Sequence, residues 1–119
     1  MADPLAARKC QPCEGGVEPL PESAARALLG DVKGWELVDL SAAGKTVKAI
    51  RKTVVCKNFL DAVALMQRIA PVAEAEDHHP DLHLTRYKRL TIELSTHAIG
   101  GLSENDFILA AKLDQLLPA

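Results

Sequence analysis

The histidines of this 119-residue chain number four, and all lie in its second half: His78, His79, His83 and His97. An imidazole titrates near neutral pH, so two of them held on either side of a small molecule can give and take protons. His78 and His79 stand directly before Pro80, and a residue preceding proline is pushed out of the helical region. The pair therefore marks the end of a helix, at a junction of the kind that carries function. His97 closes a run of alternating residues and precedes Gly100-Gly101, so it is expected at the end of a strand, on its polar face. Glu74 precedes His78 by one helical turn and can orient that imidazole if the helix continues past Pro71.

Blander readings compete with this one. Histidines in turns are common surface residues, and closeness in sequence does not prove convergence in space. His78, His79 and His97 could also hold a metal, but adjacent histidines seldom both ligate one ion, and no His-x3-His or nearby Cys supports them. Cys10 and Cys13 form a lone Cys-x-x-Cys, half of the ligands a structural zinc needs unless a second chain supplies the rest. No metal is assigned. His83, with Thr85 and Tyr87 as same-face neighbours in a strand, reads as packing or surface.

The elements that must position these residues follow from period. Residues 1–20, rich in Pro, Gly and small residues, read as an irregular N-terminal arm, and residues 21–119 as one domain. Glu22 to Leu29 is helical, with Ala24, Ala27 and Leu28 on one side and Gly30 as a left-handed stop. Trp35 to Leu40 and Thr46 to Cys56 read as strands joined by the turn Ala42-Ala43-Gly44-Lys45. Asn58 caps a second helix, in which Phe59, Val63, Met66 and Ala70 recur at helical spacing, widened by Leu60 and Ile69. Pro71 is expected to kink or end it. Leu82 to Tyr87 is a short strand, Lys88 and Arg89 lie at or near the turn, and Leu90 to His97 alternates cleanly. Ser103 begins a last helix through about Leu117, with Asp106 at the third position as in a capping box. The expectation is an α+β fold: a four-stranded antiparallel sheet with three helices on one face, in the order α-β-β-α-β-β-α.

Composition narrows the classes of function. Apolar residues make up 48% and charged residues 25%, the balance of a soluble globular domain. The net charge of −2, with no Lys/Arg stripe, argues against direct nucleic-acid binding. No apolar run is long enough to span a membrane, and the first residues hold no apolar core of a secretory signal. Three cysteines without such a signal suggest reduced thiols and a cytoplasmic setting, with organellar import from a longer precursor left open.

The run Glu74-Ala75-Glu76-Asp77-His78-His79-Pro80, then Tyr87, Thr96-His97 and Asp106, resembles the signature of the pterin-4a-carbinolamine dehydratases. Gly34-Trp35, Leu94-Ser95 and Gly101-Leu102-Ser103-Glu104 extend the likeness from Leu20 to Leu117. It implies the same order of elements and the dehydration of 4a-hydroxytetrahydropterin to quinonoid dihydropterin, in the recycling of tetrahydrobiopterin. No cofactor is implied, and the protein is expected as a homodimer or homotetramer. Carried onto this chain, the resemblance makes His78, His79 and His97 the catalytic residues. His78, supported by Glu74, takes one proton-transfer step and His97 the other, while His79 orients the substrate. Glu74, Asp77, Pro80, Thr96, Ala98 and Ile99 are the expected pterin contacts, and Asp106 is favoured as a helix cap. The chain departs from many members at Asp81-Leu82-His83, where they carry Trp, so the aromatic wall of the pocket is open. Trp35 and Tyr87 either line it or simply pack. The alternative function is a non-catalytic module of the same fold, stabilising a transcription-factor dimer or assisting assembly of the carbon-fixing enzyme.

Overall fold

The structure, a computed structural model, describes residues 5–11, 18–42 and 44–117. Ala43 of the expected turn and Cys13 of the cysteine pair lie outside these. The main elements run α1 (Glu22–Leu29), β1 (Glu36–Ala42), β2 (Lys45–Val55), α2 (Phe59–Glu76), β3 (Asp81–Thr85), β4 (Arg89–Leu94) and α3 (Glu104–Asp114). The sheet is antiparallel throughout, with strand order β1-β2-β4-β3, so β1 and β3 are its edges. Register puts Leu37, Ile50 and Leu94 in one row, and Leu84, Leu90 and Val54 in another, on the side the helices cover. Residues opposite one another across antiparallel strands share a face, which makes these rows a single apolar floor. The expected α+β architecture is the one observed.

Helix α2 differs from expectation in two ways. It runs unbroken past Pro71 to Glu76. Its buried side is Ala62, Leu65, Ile69 and Ala73, while Phe59, Leu60 and Ala70 are exposed. Apolar residues surround this helix almost completely, so period alone cannot fix its phase. The sheet selects the stripe in which alanines permit close approach. Similarly, Ala25 is the buried residue of α1 and Ala27 is exposed. Gly30 ends α1 with φ −65°, right-handed rather than left-handed.

Three local devices fix where the histidines emerge. Asn58 caps α2 by accepting the Asp61 N–H at 2.8 Å. At its far end Asp77 is left-handed (φ 52°), with the Asp77 N–H on the Glu74 carbonyl and the His78 N–H on the Ala73 carbonyl. That is a Schellman ending, which glycine usually supplies, and it releases His78 and His79 in a defined direction. Beyond β4, Thr96 and Gly101 pair as an isolated bridge, with the Thr96 N–H 2.8 Å from the Gly101 carbonyl. Residues 97–99 turn inside that bridge as one turn of 3-10 helix, so His97 stands in a turn and not on the strand where alternation put it. Left-handed Gly100 (φ 69°) makes the return possible. The β3–β4 turn likewise lies at residues 86–88 and leaves Arg89 in β4.

The N-terminal segment is anchored to this frame. A 3-10 turn at Leu5–Ala7 packs on α3, with Leu5 buried in the main core.

Candidate active site

The end of α2, the bridge at Thr96, the start of α3 and the N-terminal segment surround a cavity of about 630 Å³. That lies within the range of small-molecule sites, roughly 300–1,000 Å³. His78, His79 and His97 all line it, as do Asp77, Thr96 and Ala98. Glu74, Pro80 and Ile99 do not. His97 and Ser95 also line a smaller cavity, about 260 Å³, beside Asp81 and Glu93.

Each histidine has a different electrostatic setting. His78 Nε2 lies 2.6 Å from Asp106 Oδ1, and the Asp106 side chain is fully buried. The other oxygen, Oδ2, accepts from the Thr96 hydroxyl at 2.8 Å and from the Ser103 N–H at 3.0 Å. Because the Thr96 proton is on Asp106, the Ser103 hydroxyl, 2.7 Å away, donates to Thr96 Oγ1. A carboxylate can only accept, so the contact is a bond from His78 Nε2–H to Asp106, and in the neutral ring the lone pair is then on Nδ1. His79 Nε2 lies 2.9 Å from Glu74 Oε1, and both side chains are largely exposed. Among the described residues no side chain partners the His97 ring.

Two sequence expectations change here. Glu74 partners His79 rather than His78, because the Schellman turn swings His78 away from the helix face that period assigns to it. Asp106 is a cap and more: it joins a reciprocal capping box with Ser103 and also holds His78. Capping chemistry accounted for Asp106 so well that its second role stayed hidden, although its place in the family signature pointed to it. His83 sits outside the cavity on Glu93, at 3.1 Å. Trp35 packs with its N–H 2.9 Å from Asp114, and Tyr87 lies exposed in the β3–β4 turn. Neither aromatic lines the cavity.

Residues that sequence reasoning missed form another side of the site: Lys9, Cys10, Gln11, Glu76 and Asn105. Cys10 stands in the lone Cys-x-x-Cys and Glu76 in the signature run, but no local pattern brings them to this cavity, since the arm has no period and its partners lie far along the chain. Glu76 Oε1 accepts the Cys10 N–H at 2.7 Å, and that bond, with Lys112 and Lys9 nearby, holds the carboxyl below its ordinary value. Burial, then the Glu76 charge, pushes the Cys10 thiol up from 9.0 to about 12. Among the described residues no group of three His, Cys, Asp or Glu side chains is placed to hold a metal ion.

Known proteins resemble this chain. Residues 18–116 match the family model described as pterin 4 alpha carbinolamine dehydratase. A protein of Nitrosomonas eutropha, whose name places it in the same family, is 47% identical over 95% of this chain and 93% of its own length. The Arabidopsis thaliana protein named pterin-4-alpha-carbinolamine dehydratase 2, mitochondrial, is 46% identical over 98% of this chain and 60% of its own. A crystal structure from Brucella melitensis, named transcriptional coactivator/pterin dehydratase, superposes with TM-score 0.72 at 31% identity, over 85% of this chain and all of that one. Matched along nearly all of its domain, the chain belongs to the pterin-4-alpha-carbinolamine dehydratase family.

Proposed function

We propose that this protein removes water from a 4a-hydroxytetrahydropterin by proton transfers through His78 and His97. The observation that supports this reading is the buried Asp106 behind His78, in a cavity that His79 and His97 also line. The reaction needs an acid at the oxygen on C4a and a base at N5. Protonation lets that oxygen leave as water. The N5 proton passes to the base, and the electron pair of the N5–H bond becomes the C4a–N5 double bond of the quinonoid dihydropterin. No metal or organic cofactor enters these steps.

Asp106 fixes the ring of His78 with Nε2–H toward the carboxylate, so Nδ1 is the nitrogen that takes the proton from N5. The carboxylate also offsets the charge that the ring then carries. His97 serves as the acid at the leaving oxygen. His79, steadied by Glu74, orients the substrate, and Asp77 with the backbone around Thr96 and Ala98 meets the amide edge of the pterin. Recycling of oxidised tetrahydrobiopterin in the cytoplasm, by a homodimer or homotetramer paired through the β1 or β3 edge, completes the proposal. The Arabidopsis thaliana relative, named mitochondrial, supports an organelle as the alternative setting.

Turnover of freshly generated 4a-hydroxytetrahydropterin tests it directly. His78→Ala and His97→Ala are each expected to lose about 10²–10⁴-fold in kcat. A wild-type protein that does not accelerate the spontaneous dehydration overturns the reading. That outcome would favour a binding module, which the coactivator part of the name of the Brucella melitensis structure supports.

A further inference from the structure

The N-terminal segment crosses from α3 to the histidines, and its residues 9–11 lie against their cavity. Leu5 anchors it in the core, and Lys112 of α3 donates to the Ala6 carbonyl at 2.8 Å. Arg8 pairs with Glu104 at 3.1 Å. From there the chain meets Asn105 edge to edge. Its side-chain oxygen accepts the Gln11 N–H at 2.9 Å and its amide nitrogen donates to the Gln11 carbonyl at 2.5 Å. Glu76 takes the Cys10 N–H, and the Lys9 ammonium caps the Ala75 carbonyl at 3.1 Å, on the last turn of α2. Lys9, Cys10 and Gln11 line the cavity together with all three histidines, yet the match to the family model begins only at residue 18.

We propose that Lys9–Gln11 is a substrate-contacting wall of this cavity, so that docking of the arm and binding of the pterin reinforce one another. The proposal rests on the dehydratase reading for the identity of the ligand. Asn105 and Glu76 act as positioning residues through the arm. Because the polar backbone groups at Cys10 N–H and Gln11 are already bonded within the protein, the wall excludes water and shapes the cavity; it moves no proton. Loss of the arm therefore raises KM and spares kcat. Leu5 and Lys112 hold the arm from outside the cavity, which lets docking be weakened without touching the substrate site.

Two measurements on the full chain test this. First, alkylation of Cys10 by N-ethylmaleimide, read at that residue by fragment mass spectrometry, reports undocking, because the thiol is buried when the arm is docked. If the pterin binds only the docked form, 7,8-dihydrobiopterin at ten times its dissociation constant slows alkylation on the order of tenfold. An unchanged rate at saturating dihydrobiopterin overturns the wall. Second, Leu5→Ala is expected to raise KM about tenfold with kcat within about twofold, as for a site whose competent form is only fractionally populated. Leu5→Met should restore KM. An unchanged KM in a Leu5→Ala protein whose Cys10 has become freely alkylated also overturns it. Should Leu5→Ala fail to fold, wild-type shielding of Cys10 decides alone. Wild-type turnover separates the two readings: turnover with no shielding defeats the wall and leaves the dehydratase standing, while absent turnover defeats the dehydratase.

Discussion

His78 and Asp106 come from the end of α2 and the first turn of α3, 28 residues apart, and meet at 2.6 Å with the carboxylate wholly buried. One oxygen holds the ring while the other closes the capping box of α3 and takes the Thr96 hydroxyl. A single side chain thereby ties together the helix that carries His78, the bridge that carries His97 and the helix beneath both. Orientation of the imidazole and integrity of the α3 N-terminus share one carboxylate.

That sharing can be separated by substitution. Asp106→Asn keeps the shape of the cap but presents an amide where only donors converge, and it no longer fixes Nε2–H on His78. We expect kcat to fall about 10²-fold, and stability by about 1–3 kcal/mol for the mispaired buried group. Ser103→Ala removes the cap hydroxyl and its bond to Thr96 but leaves the Asp106–His78 contact, and should cost about 1 kcal/mol with kcat nearly unchanged. Turnover and thermal melts of both variants make the comparison. Equal losses of kcat in the two would show that Asp106 acts only as a cap.

Glu74 offers the contrasting case. Its carboxylate and His79 are both largely exposed, and such pairs contribute about 0–1 kcal/mol. Glu74→Ala should leave the melting temperature nearly unchanged and affect KM more than kcat, because it loosens a ring that orients substrate. A kcat loss as large as that of His78→Ala would instead mean that Glu74 serves His78 in the working enzyme.

The fold was legible in the sequence wherever one face of an element is buried and the other is not. Alternation at Leu90, Ile92 and Leu94 marks β4 without ambiguity, and all three side chains are fully buried. The capping residues Asn58 and Ser103 announce their helices. What failed to show has physical causes. Helix α2 is apolar on nearly every side, so its inward stripe is decided by the sheet. The 3-10 turn at His97 follows from a bridge between Thr96 and Gly101, a pairing no period reports. At the site, local spacing paired Glu74 with His78, but the left-handed Asp77 breaks the helical geometry on which that spacing depends. The arm contributes through contacts as distant as Lys112 on Ala6, beyond the reach of any local pattern.

Gly101 supplies a prediction about how tightly His97 is held. A Cβ added there would lie 2.8 Å from Cβ and 3.2 Å from Cγ of Pro19, a ring that cannot turn aside. Gly101→Ala must therefore push the Thr96–Gly101 bridge away from residues 19 and 20, and His97 with it. A cost of about 1–3 kcal/mol is expected, as for other overpacked sites, together with a loss of kcat. Gly100→Ala meets no atom within 4 Å and pays only for its positive φ, about 1–2 kcal/mol. If the two variants melt and turn over alike, the contact with Pro19 does not constrain the turn.

The docked arm should also respond to pH from both sides. The Cys10 N–H on Glu76 holds that carboxyl below its ordinary 4.5, so the docked state binds protons less readily there than the undocked one. Its contribution to docking is present above 4.5 and lost as pH falls through the lowered value. Cys10 works in the opposite sense: burial raises its thiol from 9.0 to about 12, so docking keeps its full strength below 9.0 and weakens as pH climbs toward 12. Amide hydrogen exchange, corrected for intrinsic rates, should show greatest protection of the Cys10 and Gln11 amides between these limits. Glu76→Gln keeps an acceptor for the Cys10 N–H but no longer titrates, and should remove the acid limb alone. Arm amides that stay protected down to the pH at which the β4 amides themselves exchange would show that Glu76 does not latch the arm.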